Sequence, residues 1–160
     1  MKTLVKRFVP ARWVLRQLLR LDSWLYRTIS RVAVWHGGGL HPKHRLTGYH
    51  DFFVRNIRAG ERVLDIGCGN GVLDDHIVKA AGARVRGVDR DRSAIAYARR
   101  HYRDERLTFV EGDAQDGGIE GPFDVVILSN VLEHLEGRVE FLRSIRERVR
   151  PDRVLIRVPL

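Results

Sequence analysis

The chain has 160 residues, 44% hydrophobic and 31% charged, with a formal net charge of +9. That composition fits one soluble globular domain with a single sizeable core. The lone cysteine, Cys68, excludes an intrachain disulfide framework, and no run of 18 apolar residues is present to cross a bilayer as a helix.

The charge is uneven. Residues 1–50 hold ten Lys or Arg against one acid, Asp22, whereas residues 51–160 hold nineteen of each sign. The excess belongs to an N-terminal arm, whose expected partner is a polyanion, either a membrane surface or a nucleic acid. The basic N-terminus lacks an uninterrupted apolar core and a small-residue cleavage site, so it does not read as a secretory signal. A cytoplasmic protein, with peripheral contact at a membrane through the arm, is the expectation.

Pro10 precedes a periodic segment, 11–35, that is expected to be helical. At 100° per residue, Arg12, Arg16, Arg20, Arg27 and Arg31 share one arc. Val14, Leu15, Leu18, Leu21, Leu25, Ile29 and Val32 share the opposite one. Trp13, Trp24 and Trp35 fall in line on the border between them. An arginine face, an aliphatic face and a tryptophan border describe a helix lying flat on a bilayer. They equally describe an amphipathic helix covering its own domain. An RNA-binding arm needs less apolar surface than this one carries.

Residues 36–42, with three glycines and His41-Pro42, mark a hinge, so the boundary is drawn between an arm (1–42) and a main domain (43–160). A second helix is expected over 43–57, with Phe52, Phe53 and Ile57 facing the core. Four of the seven histidines lie between His36 and His50, but their spacing matches no familiar metal site. From Arg62 the chain alternates. Strands are expected at 62–66, 84–88, 107–111, 123–129 and 153–158, and helices at 71–81, 91–103 and 138–149, with Asp91 and Ser93 as helix-start residues. The stretch 114–122 reads as loop with at most a helical turn. Continuous apolar strands alternating with helices indicate a parallel sheet covered on both faces.

The most informative stretch is Val63-Leu64-Asp65-Ile66-Gly67-Cys68-Gly69-Asn70-Gly71. A strand runs through an acid into a turn of alternating glycines and then a helix, which is where α/β sheets bind nucleotide-like ligands. Asp89 ends the second strand, 22 residues beyond Gly67, near the offset at which an acid meets ribose hydroxyls. The third strand ends in Gly112-Asp113-Ala114, and the fourth in Ser129-Asn130-Val131-Leu132-Glu133-His134. Cys68 opens a helix, which lowers a thiol pKa, yet a small residue filling a tight turn is the plainer reading.

With these motifs in view, residues 43–158 resemble the class I S-adenosylmethionine-dependent methyltransferases, specifically the small-molecule group with an Asn-Val-Leu-Glu-His-type sequence after strand four. The resemblance implies a Rossmann-like sheet of order 3-2-1-4-5, here without the usual last two strands. Strand five would then be an exposed edge open to pairing with another chain. It implies S-adenosylmethionine as cofactor. Asp65 would hold the amino group of the methionine part, and Gly67, Cys68 and Gly69 would lie against ribose and methionine. Asp89 would bind both ribose hydroxyls, Arg90 would flank the adenine, and Asp113 with Ala114 would read the adenine edge. Ser129 or Asn130 would lie near the departing methyl. His134, oriented by Glu133, is the candidate base. His44, Tyr49 and His50 are lid candidates. Relatives that hold a divalent metal use Glu-x-x-Glu-His here; this chain has Asn130 in place of the first Glu, so no metal is expected.

The leading reading is methyl transfer to a small molecule or a membrane-associated lipid or glycan precursor. The alternatives are an RNA methyltransferase gripping RNA with the arm, and a non-catalytic methyltransferase-like partner subunit. A dinucleotide dehydrogenase is disfavoured, since the glycines stand at 67, 69 and 71 and not at positions one, three and six of the turn.

Overall fold

The computed structural model of the chain describes residues 11–36, 48–116, 119 and 121–159. They fall into two compact units divided between Thr47 and Gly48. In the first unit, α1 (Ala11–His36) is a single helix of 26 residues. Arg12, Arg16 and Arg20 lie along one of its faces, and Leu18, Leu21 and Leu25 along another. Ser23 Oγ donates to the Leu19 carbonyl at 2.8 Å and Thr28 Oγ1 to that of Trp24 at 2.9 Å, so both hydroxyls are satisfied within the helix. No helix among the described residues is long and apolar enough to cross a membrane.

The second unit begins with α2 (Tyr49–Arg55) and then alternates: β1 (Arg62–Ile66), α3 (Val72–Ala81), β2 (Arg84–Asp89), α4 (Arg92–His101), β3 (Leu107–Glu111), a 3-10 turn at Ala114–Asp116, β4 (Val125–Ser129), a second 3-10 turn at Leu132–His134, α5 (Arg138–Arg148) and β5 (Arg153–Arg157). The five strands form one parallel sheet ordered β3-β2-β1-β4-β5. The expected sheet order is therefore the one observed.

Side chains alternate across the strands and build two cores. On one face Val63, Val85, Val125, Ile127 and Leu155 meet Phe53 and Ile57 and the α3 residues Leu73, Ile77 and Val78. On the other, Leu64, Ile66, Val88, Val126 and Leu128 meet Phe141, Ile145 and Val149. A smaller cluster packs Ile95 and Ala98 of α4 on Phe109 and Cys68.

Boundaries moved where a side chain took over from the ladder. β4 starts at Val125 and not at residue 123, because Asp124 turns its carboxylate to the Arg62 backbone N–H (2.7 Å) and guanidinium (2.9 Å). The helix expected over 43–57 is described only as Tyr49–Arg55, its earlier part lying outside the described residues. Within it Phe53 and Ile57 are buried, but Phe52 is 46% exposed, a correction to its expected core role. A seven-residue helix has room for one apolar stripe, and adjacent residues point about 100° apart. Asp91 does cap α4, accepting from the backbone N–H of Ser93 (2.8 Å) and Ala94 (3.3 Å). Val154 and Ile156 are exposed on β5, which forms one edge of the sheet among the described residues.

Candidate functional site

Parallel strands bring the tips of β1, β2, β3 and β4 to one end of the sheet. At the β1 tip, Gly67, Gly69 and Gly71 all have φ between 55° and 79°. This is the left-handed region that favours glycine. The space around two of them is also taken. A Cβ on Gly67 would approach Val131 Cγ2 to 2.6 Å, and one on Gly71 would strike the Phe109 ring. The backbone N–H groups of Gly67 and Cys68 both donate to the Val88 carbonyl, at 2.7 and 3.1 Å, and fasten the turn to β2.

Asp89 organises the β2 tip. Its Oδ2 accepts from the Gly69 backbone N–H and its Oδ1 from that of Asp91, both at 2.8 Å. A carboxylate with one backbone donor on each oxygen is fixed in orientation and keeps lone pairs for further donors. At the β3 tip, Asp113 Oδ1 accepts from the Gln115 N–H at 2.9 Å and shapes the 3-10 turn. At the β4 tip, Asn130 takes φ 58°. Its Oδ1 accepts from Arg157 at 2.8 Å, and its N–H donates to the Arg157 carbonyl at 2.9 Å.

These tips surround a cavity of about 200 Å³. Of the residues singled out from sequence, Gly67, Asp89, Arg90, Asp113, Ala114, Asn130 and His134 line it. Asp65, Cys68, Gly69 and Ser129 do not. Asp65 is only 2% exposed. The alternation of β1 puts it with Val63 on the α3 side of the sheet, behind the glycine turn. Gly69 reaches the site through its bond to Asp89. Cys68 is a buried free cysteine, and burial with the nearby acids pushes its thiol pKa up, so it is no thiolate. Apolar walls that sequence reasoning missed come from Val88, Val131, Leu135 and Phe141.

His134 ends the second 3-10 turn and is exposed on the cavity rim. Glu133 does not orient it as expected: its Oε2 is buried without a hydrogen-bond partner. Among the described residues, no group of three or more His, Cys, Asp or Glu is arranged to hold a metal ion. Of the lid candidates, His44 lies outside the described residues. His50 is buried, with Nδ1 3.2 Å from His76 Nδ1. Tyr49 carries the Arg157 guanidinium 4.5 Å above its ring. Burial raises the Tyr49 pKa against the pull of Arg157, and Asp65 raises it further. Tyr49 and Asn130 were singled out separately, but their meeting at Arg157 had no signal in the sequence, because nothing local ties α2 to β5.

A family model for a methyltransferase domain matches residues 63–152, more than half the chain. The sequence is 36% identical over 110 residues to the mitochondrial ubiquinone biosynthesis O-methyltransferase of Schizosaccharomyces pombe, covering 66% of this chain and 40% of that one. It is 32% identical over 138 residues to the ribosomal protein L11 methyltransferase of Thermotoga maritima, covering 86% of this chain and 50% of that one. Among solved structures, phosphoethanolamine N-methyltransferase 2 of Haemonchus contortus, in complex with S-adenosyl-L-methionine, is similar with a TM-score of 0.58 and 28% identity. That match covers 62% of this chain and 24% of the other. Coclaurine N-methyltransferase, bound to N-methylheliamine and SAH, shares the fold at a TM-score of 0.60 and 24% identity over 69% of this chain and 34% of that one. The chain spans about half the length of the curated relatives it matches.

Proposed function

We propose methyl transfer from S-adenosylmethionine to a small-molecule acceptor as the activity of this chain, which belongs to the class I S-adenosylmethionine-dependent methyltransferase family. The observation that carries the proposal is Asp89: a carboxylate clamped by two backbone N–H groups on the wall of the cavity, facing the tip that holds Asp113. A ribose offers two adjacent hydroxyl donors, which suits an acceptor-only group held in that way.

The chain's residues fit the cofactor on several counts. Gly67 lines the cavity, and a Cβ there would press into Val131, so only glycine lets the main chain sit at that wall. Asp65 Oδ1 is buried without a partner behind that turn, a waiting acceptor for an ammonium group. The apolar walls Val88, Val131, Leu135 and Phe141 suit an adenine ring, whose edge Asp113 and Ala114 would read and which Arg90 would flank. Gly67, Cys68 and Gly69 would lie along ribose and methionine, and Ser129 or Asn130 near the methyl.

When bound, S-adenosylmethionine supplies a methyl group on a sulfonium. The protein's own share is alignment and exclusion of water. Asn130, locked by two bonds to Arg157, fixes the floor beside the acceptor. His134 on the rim would be the base that takes a proton from a hydroxyl acceptor. Calorimetry with S-adenosylmethionine tests the proposal. The intact protein should bind, and Asp89→Ala should weaken binding about tenfold or more, as for losing charged hydrogen bonds worth about 1.5–3 kcal/mol. Absence of binding by the intact protein would overturn it.

The acceptor, in this proposal, is met at an anionic membrane surface. The support is α1, whose arginine and leucine faces share one continuous helix at the basic end of the chain. Flotation with anionic vesicles should recover the full chain, and Arg12→Glu/Arg16→Glu/Arg20→Glu should abolish recovery. Salt-dependent retention of tRNA without vesicle binding would move the reading to an RNA acceptor.

A further inference from the structure

Asp74 is a buried acid that the site described above does not use. It sits in the first turn of α3 and is 0% exposed. The sheet explains where its carboxylate goes. Across β4, β1, β2 and β3, one row of paired residues runs Ile127, Asp65, Gly87, Phe109. Gly87 is the only gap in that row. A Cβ there would collide with the Asp74 carboxylate, approach Cys68 Sγ to 2.8 Å and Phe109 to 2.9 Å. Asp74 therefore fills the missing side chain's place, next to Asp65.

Both carboxylates are cut off from water. Asp65 Oδ1 and both oxygens of Asp74 have no hydrogen-bond partner among the described residues. Two carboxylates cannot donate to one another, whereas one proton placed between them turns orphaned acceptors into a short hydrogen bond.

We propose that Asp65 and Asp74 share one proton, and that Asp74 is a positioning residue setting the charge Asp65 presents to the ammonium group of the cofactor's methionine part. The proposal rests on the reading above that Asp65 takes that group. It makes cofactor affinity depend on pH near neutrality.

The surroundings favour the shared proton. Burial pushes Asp74 up to about 7 and Asp65 well above the usual carboxylate range, and the charges of Asp74 and Asp89 add to the rise at Asp65. Tyr49 of α2 interacts with Asp65 and carries the Arg157 guanidinium of β5 over its ring, and His50 beside it meets His76 of α3. Cys68 stays a thiol, and Ile95 and Ala98 of α4 are apolar.

An ammonium group beside the pair favours its doubly ionised form. Binding then releases a proton, and affinity rises as pH climbs through the pair's upper titration. Asparagine in place of Asp74 keeps the shape and donates permanently, leaving Asp65 alone to titrate at lower pH.

The experiment is calorimetry of the full chain with S-adenosylhomocysteine at pH 6.0, 6.75 and 7.5, in two buffers of different ionisation heat. Wild type should tighten about fivefold across that range and release a fraction of a proton, out of the maximum of about tenfold per pH unit for one linked proton. Asp74→Asn should change less than about twofold and release almost none. Equal slopes in the two proteins, or no proton release by wild type, would overturn the proposal. Should the variant fail to fold, the two-buffer proton count on wild type decides by itself. Wild-type binding with no proton exchange defeats this inference alone, whereas no binding at any pH defeats the functional proposal beneath it.

Discussion

The two faces of the sheet are built from similar hydrocarbons but tolerate different things. The α5 side has a hydrocarbon centre, with Leu64, Ile66, Val126 and Leu128 under Phe141 and Ile145. The α3 side begins the same way, with Val63, Val85, Val125 and Ile127 under Phe53 and Ile77. It is then interrupted by Asp65, Asp74 and the gap at Gly87. Burying acids without cations is unfavourable, and a closely packed hydrocarbon row would be more stable. The interruption lies directly behind the glycine turn. On the proposed reading, stability is given up there because a ligand's ammonium group is to be met.

At their centres the two faces should behave alike. Ile77→Ala on the α3 side and Ile145→Ala on the α5 side remove fully buried side chains. Each should cost about 2–5 kcal/mol by chemical denaturation. A much smaller cost for Ile77→Ala would mean that the α3 side is not a close-packed core at all. Phe52→Ala, on the exposed neighbour of Phe53, should stay within about 0.5 kcal/mol.

Gly87→Ala should separate the faces. Its new methyl has nowhere to go but into Asp74, Cys68 and Phe109, and overpacking of this kind costs about 1–3 kcal/mol. Combining it with Asp74→Ser, which shortens the side chain in the way, should recover part of that loss. Strict additivity of the two changes would show that Asp74 does not occupy the gap.

The same contrast explains what was legible in the sequence. Strand positions, the glycine turn and the acids at Asp89 and Asp113 were readable because each is a local signal: period, φ preference, or a residue type at a strand end. The lateral neighbours of those residues were not. Asp74 followed by Asp75 reads as an ordinary acidic first turn of a helix, and the dipole gives such acids a reason to sit in solvent. Only the pairing of Gly87 with Asp65 shows that Asp74 has a place to be buried. Asp65 was read as the holder of the methionine amino group, and what the sequence did not show is that its side chain lies with Val63 on the α3 side, behind the glycine turn. Val131, Leu135 and Phe141 reach the cavity through the β4–α5 connection, which no periodicity describes. The adjacent Phe52 and Phe53 could not both face inward from so short a helix.

A further difference between the faces is a pH dependence of stability that belongs to the α3 side. The folded-state pKa values of Asp65 and Asp74 are raised, so the folded protein holds a proton that the unfolded chain has already lost. The sign follows: between the unfolded carboxylate range near 4 and the folded value of about 7 for Asp74, this pair's contribution falls as pH rises. The other acids with shifted values point the opposite way, Asp104 being held down to about 2 by Arg106 and Asp124 held below the usual range by Arg62. They are largely solvent-screened surface pairs and contribute little. Asp74→Asn removes one of the two raised groups and leaves the surface pairs untouched. Relative to its value at pH 5, the stability of wild type at pH 8 should therefore fall more than that of the variant, by on the order of 1 kcal/mol. Denaturation midpoints at the two pH values measure this difference directly. Parallel curves would place the proton elsewhere, and the α3 side would then carry two buried charges that its hydrocarbon neighbours give no means of stabilising.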